Sequence, residues 1–397
     1  MLKPIILHSI NKPLETDVYI FNASNDSALA CNSLSYTPSK FVKIFERDLA
    51  TLPMLFAKKT DVVLVYEQPN ADFINQMQAW GFELPDFITK KNFFDHQKSL
   101  EYNLRAIQPW GWSKTVHTAF RSVRNQFSFT NVCSVWNEEL RLISGRHTAA
   151  LVLSDILQHN NPLLVKESAI PQIITSLESI PQLFEGNEQW VLKSPWSSSG
   201  RGLLRVSAQQ FGFTEKVWVK RIIDEQGFIM AEPWHEKVFD FSFLFSVSSG
   251  AISLLCLSTF KTGDKGHFFG SYVHWPEDSI LSQMGLSNFE LGKLIKIIVD
   301  SLIKYKFNCF YDGWMGVDAM VIRQSDRLLI QPCVEINCRY TIGHLAFALR
   351  KYFQPSSKAL LRIGSLKEFN QSKTTMRYAK PITPVTDETF FVGWIEE

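Results

Sequence analysis

No C-x-x-C pair occurs in this chain, although it holds six cysteines (Cys31, Cys133, Cys256, Cys309, Cys333 and Cys338). Their spacing is irregular and several sit inside apolar runs. That argues against a zinc ribbon or a disulfide framework, and for reduced, mostly buried thiols in a cytoplasmic protein. Neither sign of charge dominates, since 41 basic against 39 acidic residues leave a formal charge of +2. A dedicated nucleic-acid or anionic-membrane surface normally carries a basic excess or stripe, so neither partner is expected. No Gly-Lys-Ser/Thr stands ahead of a helix, which excludes a Walker A loop. Internal repeats, low-complexity tracts and long linkers are also missing. The opening MLKPIILHSINKP has too short an apolar run to read as a secretory signal.

Long uncharged runs are nearly absent. Phe241–Phe260 has no charge, but Ser recurs through it and Ser248-Ser249-Gly250 interrupts it. A membrane span needs about 20 mostly apolar residues. The stretch reads instead as two strands, FSFLFSV and AISLLCLSTF, joined as a hairpin.

What is present is the composition of a folded soluble protein, 45% apolar and 20% charged. At 397 residues the chain exceeds one compact core, so two or three domains are expected. The first part alternates short apolar strands (Asp17–Phe21, Asp61–Tyr66) with helical stretches (Lys40–Lys58; Ala71–Trp80, stopped by Gly81), as a parallel α/β layer does. Glu101–Phe120 and Asn137–Leu142 read as further helical segments, and Arg146–Leu157 as an amphipathic helix. Trp80, Trp110, Trp112 and Trp136 read as core or domain-interface residues.

The most informative stretch is Trp190–Val206, WVLKSPWSSSGRGLLRV. It reads strand, small-residue loop, strand. Lys193 ends the first strand with its ammonium beside the loop. Ser197, Ser198, Ser199, Gly200 and Gly202 carry little side chain, so their N–H groups can turn toward phosphate oxygens. A second stretch, Leu328–His344, has an apolar strand ending in Glu335-Ile336-Asn337. Alternation puts Glu335 and Asn337 on one face, with Arg339 two residues on. Upstream, Gly316–Ile322 is a strand whose only charge is Asp318, joined by a turn at Arg323–Arg327. Asp318, Glu335 and Asn337 are hard-oxygen ligands suited to Mg²⁺ shared with phosphate. Bland alternatives are Asp318 paired with Arg323, Arg339 paired with Glu335, and Lys193 as an ordinary strand-end lysine.

Lys-Ser-Pro followed by Ser-Ser-Ser-Gly-Arg-Gly, then Glu-Ile-Asn-Cys-Arg, resembles the ATP-grasp superfamily over roughly Arg146 to Phe347. The resemblance implies an N-terminal Rossmann-like pre-ATP-grasp domain (1–143) and a two-lobed ATP-grasp domain, with a small lobe (144–227) and a large lobe (228–397). That is an α/β (α+β) chain. The resemblance makes Phe228–Trp234 a hinge, with Glu232 and Trp234 beside adenine and Asp240 at the ribose. Glu232 and Asp240 read equally as surface acids. Arg146 stands where the family often has a first phosphate-contacting lysine. Cys338 replaces a common proline, and the loop is richer in serine than usual. Arg339 and Arg201 are the implied catalytic groups, because a guanidinium matches planar oxyanions.

The implied cofactors are ATP and one or two Mg²⁺, with Mn²⁺ as an alternative. The implied activity is an ATP-dependent ligase joining a small-molecule or peptide carboxylate to an amine (or a thiol). A phosphotransferase and a non-catalytic nucleotide-binding module are the alternatives, and a homodimer is compatible. Asn22, Asn25 and Asp26 follow the first strand, where α/β sheets gather ligands, and are candidate substrate contacts. An Asx-rich turn is the ordinary reading of the same residues.

Overall fold

The computed structural model describes residues 15–95, 101–128, 132–133, 135–185, 189–197, 202–263, 268–274, 285–354 and 358–397. Short apolar runs build a first, wholly parallel sheet from β1 (Glu15–Ile20), β2 (Val62–Val65), β3 (Asp86–Thr89) and β4 (Asn103–Pro109), in the order β3-β2-β1-β4. β2, VVLV, is buried at every position, as a strand covered on both faces must be.

The expectation of helix over Glu101–Phe120 is corrected. Asn103–Pro109 pairs with β1 as a parallel strand, and only Lys114–Ala119 is helical. The open flank of β1 gives this segment ladder partners, and Pro109 with the PWGW turn blocks a continuous helix. The run expected over Lys40–Lys58 divides into a helix at Lys40–Asp48 and a 3-10 turn at Leu52–Leu55, whose early position Pro53 occupies. Ala71–Ala79 is a helix with Asn70 capping Phe73 N, and Gly81 follows at φ +83°.

The second sheet is antiparallel: β5 (Gln172–Ile174), β6 (Gln189–Lys193), β7 (Leu203–Ser207) and β8 (Ile229–Pro233), ordered β5-β8-β6-β7. β8 belongs to it, so this sheet runs past residue 227, where the sequence reading ended the small lobe. The helix Phe213–Gln226 packs on it.

The third sheet has eight strands in the order β13-β12-β9-β10-β11-β14-β16-β15. These are β9 (Glu236–Ser248), β10 (Ala251–Thr262), β11 (Phe268–Tyr272), β12 (Gly313–Gln324), β13 (Arg327–Asn337), β14 (Leu360–Ser365), β15 (Ala379–Pro381) and β16 (Phe391–Glu396). β9 and β10 are the hairpin expected from the uncharged run. Its turn residues Ser249 (φ 50°) and Gly250 (φ 79°) are both left-handed, which suits the twist of the flanking strands. The helix Arg146–Leu157 lies on β13. No described helix is long and apolar enough to cross a membrane, and the six cysteines form no disulfide.

Candidate functional site

Lys193 closes β6, and the neighbouring β8 sets Val191 opposite Glu232. The Lys193 ammonium forms an ion pair with the Glu232 carboxylate, both side chains being buried. Glu232 is therefore not a surface acid. Beyond Lys193 the chain turns, and Ser194 N donates to Gly202 O at 2.9 Å to close the base of the loop. A Cβ at Gly202 would lie 2.2 Å from Ser197 Oγ, so only glycine fits. Ser198, Ser199, Gly200 and Arg201 lie outside the described residues. Arg146 opens its helix and stitches the loop to the third sheet. Its guanidinium donates to Ser194 O at 2.6 Å, to Ser197 Oγ at 2.7 Å and to Glu335 Oε2 at 2.8 Å.

β12 and β13 set Asp318 directly opposite Glu335. Ser242 Oγ donates to Asp318, and Asn337 Nδ2 donates to Asp318 Oδ2 at 3.0 Å. Burial, and then the charge of Glu335, push the Asp318 carboxyl up to about 6. Among the described residues no group of three or more His, Cys, Asp or Glu side chains is arranged around a metal. The set at hand is two carboxylates and an amide. Facing carboxylates repel, a divalent cation relieves that repulsion, and this oxygen donor set fits Mg²⁺. Arg323 pairs with Glu236 at 3.5 Å rather than with Asp318.

Arg339 follows β13 and bridges to Gly111 of the N-terminal region. Its Nε lies 3.0 Å from Asp26 Oδ2, and its Nη1 donates to Tyr340 O at 3.1 Å. Its ion-pair partner is thus Asp26, not Glu335. Asn22 donates to Gly111 O at 2.7 Å, and the Asn25 amide lies 2.9 Å from the carbonyls of Gly111 and Trp112. Both asparagines are buried against backbone, so of the three early candidates only Asp26 faces the larger cavities.

Two adjoining cavities gather these groups. The smaller, about 300 Å³, takes Arg146, Lys193, Glu232, Trp234, Asp240, Asp318, Glu335 and Asn337 in its walls. Asp240 accepts from Thr262 Oγ1 at 2.7 Å and from Lys237 Nζ at 2.6 Å. The larger, about 770 Å³, opens between all three sheets and contains Asp26, Ser194, Trp196, Ser197, Gly202 and Glu225. Arg339, Phe268 and Ile342 border both. Sequence reasoning missed Ser242, Thr262, His235, Trp196 and Glu225. Ser242 is findable only from sheet order, since it lies opposite Asp318 on β9. Burial holds the His235 imidazole below its usual range.

No family model matches the sequence, and no curated protein matches it. The structure is similar to that of biotin carboxylase from Campylobacter jejuni in its beta-gamma-ATP complex. The TM-score is 0.52 at 12% identity, covering 96% of this chain and 86% of that one. It is also similar to Rhizobium etli pyruvate carboxylase T882A, with TM-score 0.52 and 10% identity. That match covers 97% of this chain and 36% of the other. The N5-carboxyaminoimidazole synthetase of Staphylococcus aureus with ADP gives a TM-score of 0.49 at 10% identity, covering 96% and 92%. A parallel first sheet, an antiparallel small sheet and a long antiparallel third sheet, together with the likeness to biotin carboxylase over nearly the whole chain, make this the ATP-grasp fold.

Proposed function

We propose that this protein is an ATP-dependent ligase that activates a carboxylate as an acyl phosphate for attack by an amine (or a thiol), releasing ADP and phosphate. The observation that carries the reading is the convergence of Arg146, Lys193, Asp318, Glu335 and Asn337 on one small cavity that meets a larger cleft at Arg339. A nucleotide in the first and an acceptor in the second would meet beside that guanidinium. The biotin carboxylase structure of the same fold, solved as a beta-gamma-ATP complex, is consistent with this.

Each residue has a role that follows from its position. Lys193, held by Glu232, presents a fixed cation to the phosphates, and Arg146 ties the loop beside them to the third sheet. Glu232, Trp234 and Asp240 border the nucleoside end of the cavity in this reading. Asp318, Glu335 and Asn337 would hold Mg²⁺ (or Mn²⁺), which when bound neutralises phosphate charge and orients the phosphoryl group. Arg339 steadies the transferring group, and fixed donors aimed at developing charge are worth roughly 3–4 kcal/mol each. Ser197 and Gly202, at the two ends of the loop, stand beside the phosphates in this reading. We carry the division into an N-terminal domain and two lobes, and a cytoplasmic location, as parts of the same proposal.

Thermal unfolding of the wild type and of Glu335→Ala, with ATP alone and with Mg²⁺-ATP, tests the site. A ligand that binds only the native state raises its stability by mass action. Stabilisation should require the metal and should shrink in the variant, and Glu335→Ala should abolish ADP formation while leaving the fold intact. Near-normal turnover in the variant would sink the assignment. A stable phosphorylated acceptor in place of free phosphate would replace the ligase by a phosphotransferase.

A further inference from the structure

The larger cleft is electrostatically lopsided. Among the described residues its charged side chains are Asp26, Glu225 and Arg339. Arg339 is already committed, since its Nε sits 3.0 Å from Asp26. That pair is locally neutral, which leaves Glu225 as the uncompensated charge. Glu225 and Gln226 end the helix Phe213–Gln226, whose last turn holds no basic residue. A helix carboxyl end carries roughly half a negative charge and favours cations. Behind the opposite wall, Glu46 is buried and accepts from Ser24 N at 2.9 Å and from Ser24 Oγ at 2.6 Å, while Ser24 itself faces the cleft. The remaining wall is largely apolar and aromatic, with Phe21, Phe45 and Trp110 from the N-terminal region. Aromatic faces attract ammonium groups and reject bare anions.

We propose that this cleft binds an amine carried on an apolar, aromatic-sized body, its ammonium directed at Glu225 and the carboxyl end of that helix. The inference deepens the ligase reading by giving the class of the acceptor, and it rests on that reading for the role of the cleft. The volume of about 770 Å³ falls within the usual range of small-molecule sites.

Calorimetric titration of the intact protein, without nucleotide and with Mg²⁺-ATP, tests this with phenethylamine, O-phosphoethanolamine and 3-phenylpropionate. Phenethylamine is expected to bind best under both conditions. Glu225→Lys should weaken it about fivefold, the upper end for an exposed charge pair. Cys31 is exposed and borders the cleft, so Cys31→Trp should fill the space and remove phenethylamine binding while Mg²⁺-ATP still stabilises the protein. The proposal is overturned if phenethylamine does not bind, if it binds equally well to both variants, or if either anionic probe binds more tightly. A wild type that binds phenethylamine but gains no stability from Mg²⁺-ATP would keep the cleft assignment and remove the ligase reading.

Discussion

Asp318 ties the chemistry of the site to a measurable property of the folded chain. Burial, and then Glu335, lift its carboxyl to about 6, against about 3.9 in an unfolded chain. Between those values the native state keeps a proton that the unfolded chain has lost. Stability therefore falls as pH rises through that window and is greatest below it. In magnesium-free buffer Asp318→Asn should lack this loss, which is about 3 kcal/mol. Urea unfolding of both proteins on either side of the window reads the difference, and parallel pH dependences would remove Asp318 as its source. Lys193 and Glu232 make a second test at this scale. Removing one partner of a buried ion pair costs about 3–5 kcal/mol, because the other charge is stranded. Lys193→Met should pay that cost, and Lys193→Met with Glu232→Leu should recover most of it. Neither should recover nucleotide binding. If the double variant is no more stable than the single one, the pair is not the source of the loss.

Among the elements, the β9–β10 hairpin isolates backbone conformation from packing. Gly250 has φ 79°, and a Cβ built there meets no atom within 4 Å. Gly250→Ala should therefore cost about 1 kcal/mol through the backbone alone and leave Mg²⁺-ATP stabilisation unchanged. A loss several times larger would point to a packing role not visible at the turn. This hairpin was legible in the sequence because its signals are local: two apolar runs and a Ser-Ser-Gly turn. The same holds for the helix Arg146–Leu157 and for the strands that carry Lys193, Asp318, Glu335 and Asn337. β4 was not legible, because Asn103–Pro109 becomes a strand only by pairing with β1, far away in sequence. Asn22 and Asn25 look like exposed turn residues until the segment at Gly111 and Trp112 arrives to take their hydrogen bonds. Glu225 and Trp196 reach the cleft only because the small sheet and its helix lie against the N-terminal segments that line it. Local pattern finds chemistry carried on strands and misses walls assembled from segments distant in sequence.

At the level of the whole molecule, the cores divide the chain unevenly. Val18, Ile20 and Val62 of the first sheet share one core with Phe241, Phe243 and Val317 of the third. Tyr19, Phe21 and Val63 share another with Leu345, Leu361 and Ile395. The small sheet keeps its own core of Ile174, Trp190, Leu192, Val206, Val219 and Ile222. The first and third sheets are thus fused by interleaved apolar side chains, whereas polar contacts such as Arg146 to Ser194 O and to Ser197 Oγ bind the loop beneath the small sheet to the rest. Polar links of this kind exchange with solvent and ligand at little cost, and a separately packed unit opens as one body. The small sheet with its helix should therefore be the moving part. Hydrogen exchange with and without Mg²⁺-ATP reads this directly. Protection should rise most across β6 to β8 and the helix Phe213–Gln226, and change little in β1–β4 and β14–β16. The alternative outcome, equal protection gained across all three sheets, would mean that the nucleotide tightens the whole chain, and the division of cores would then say nothing about how the site closes.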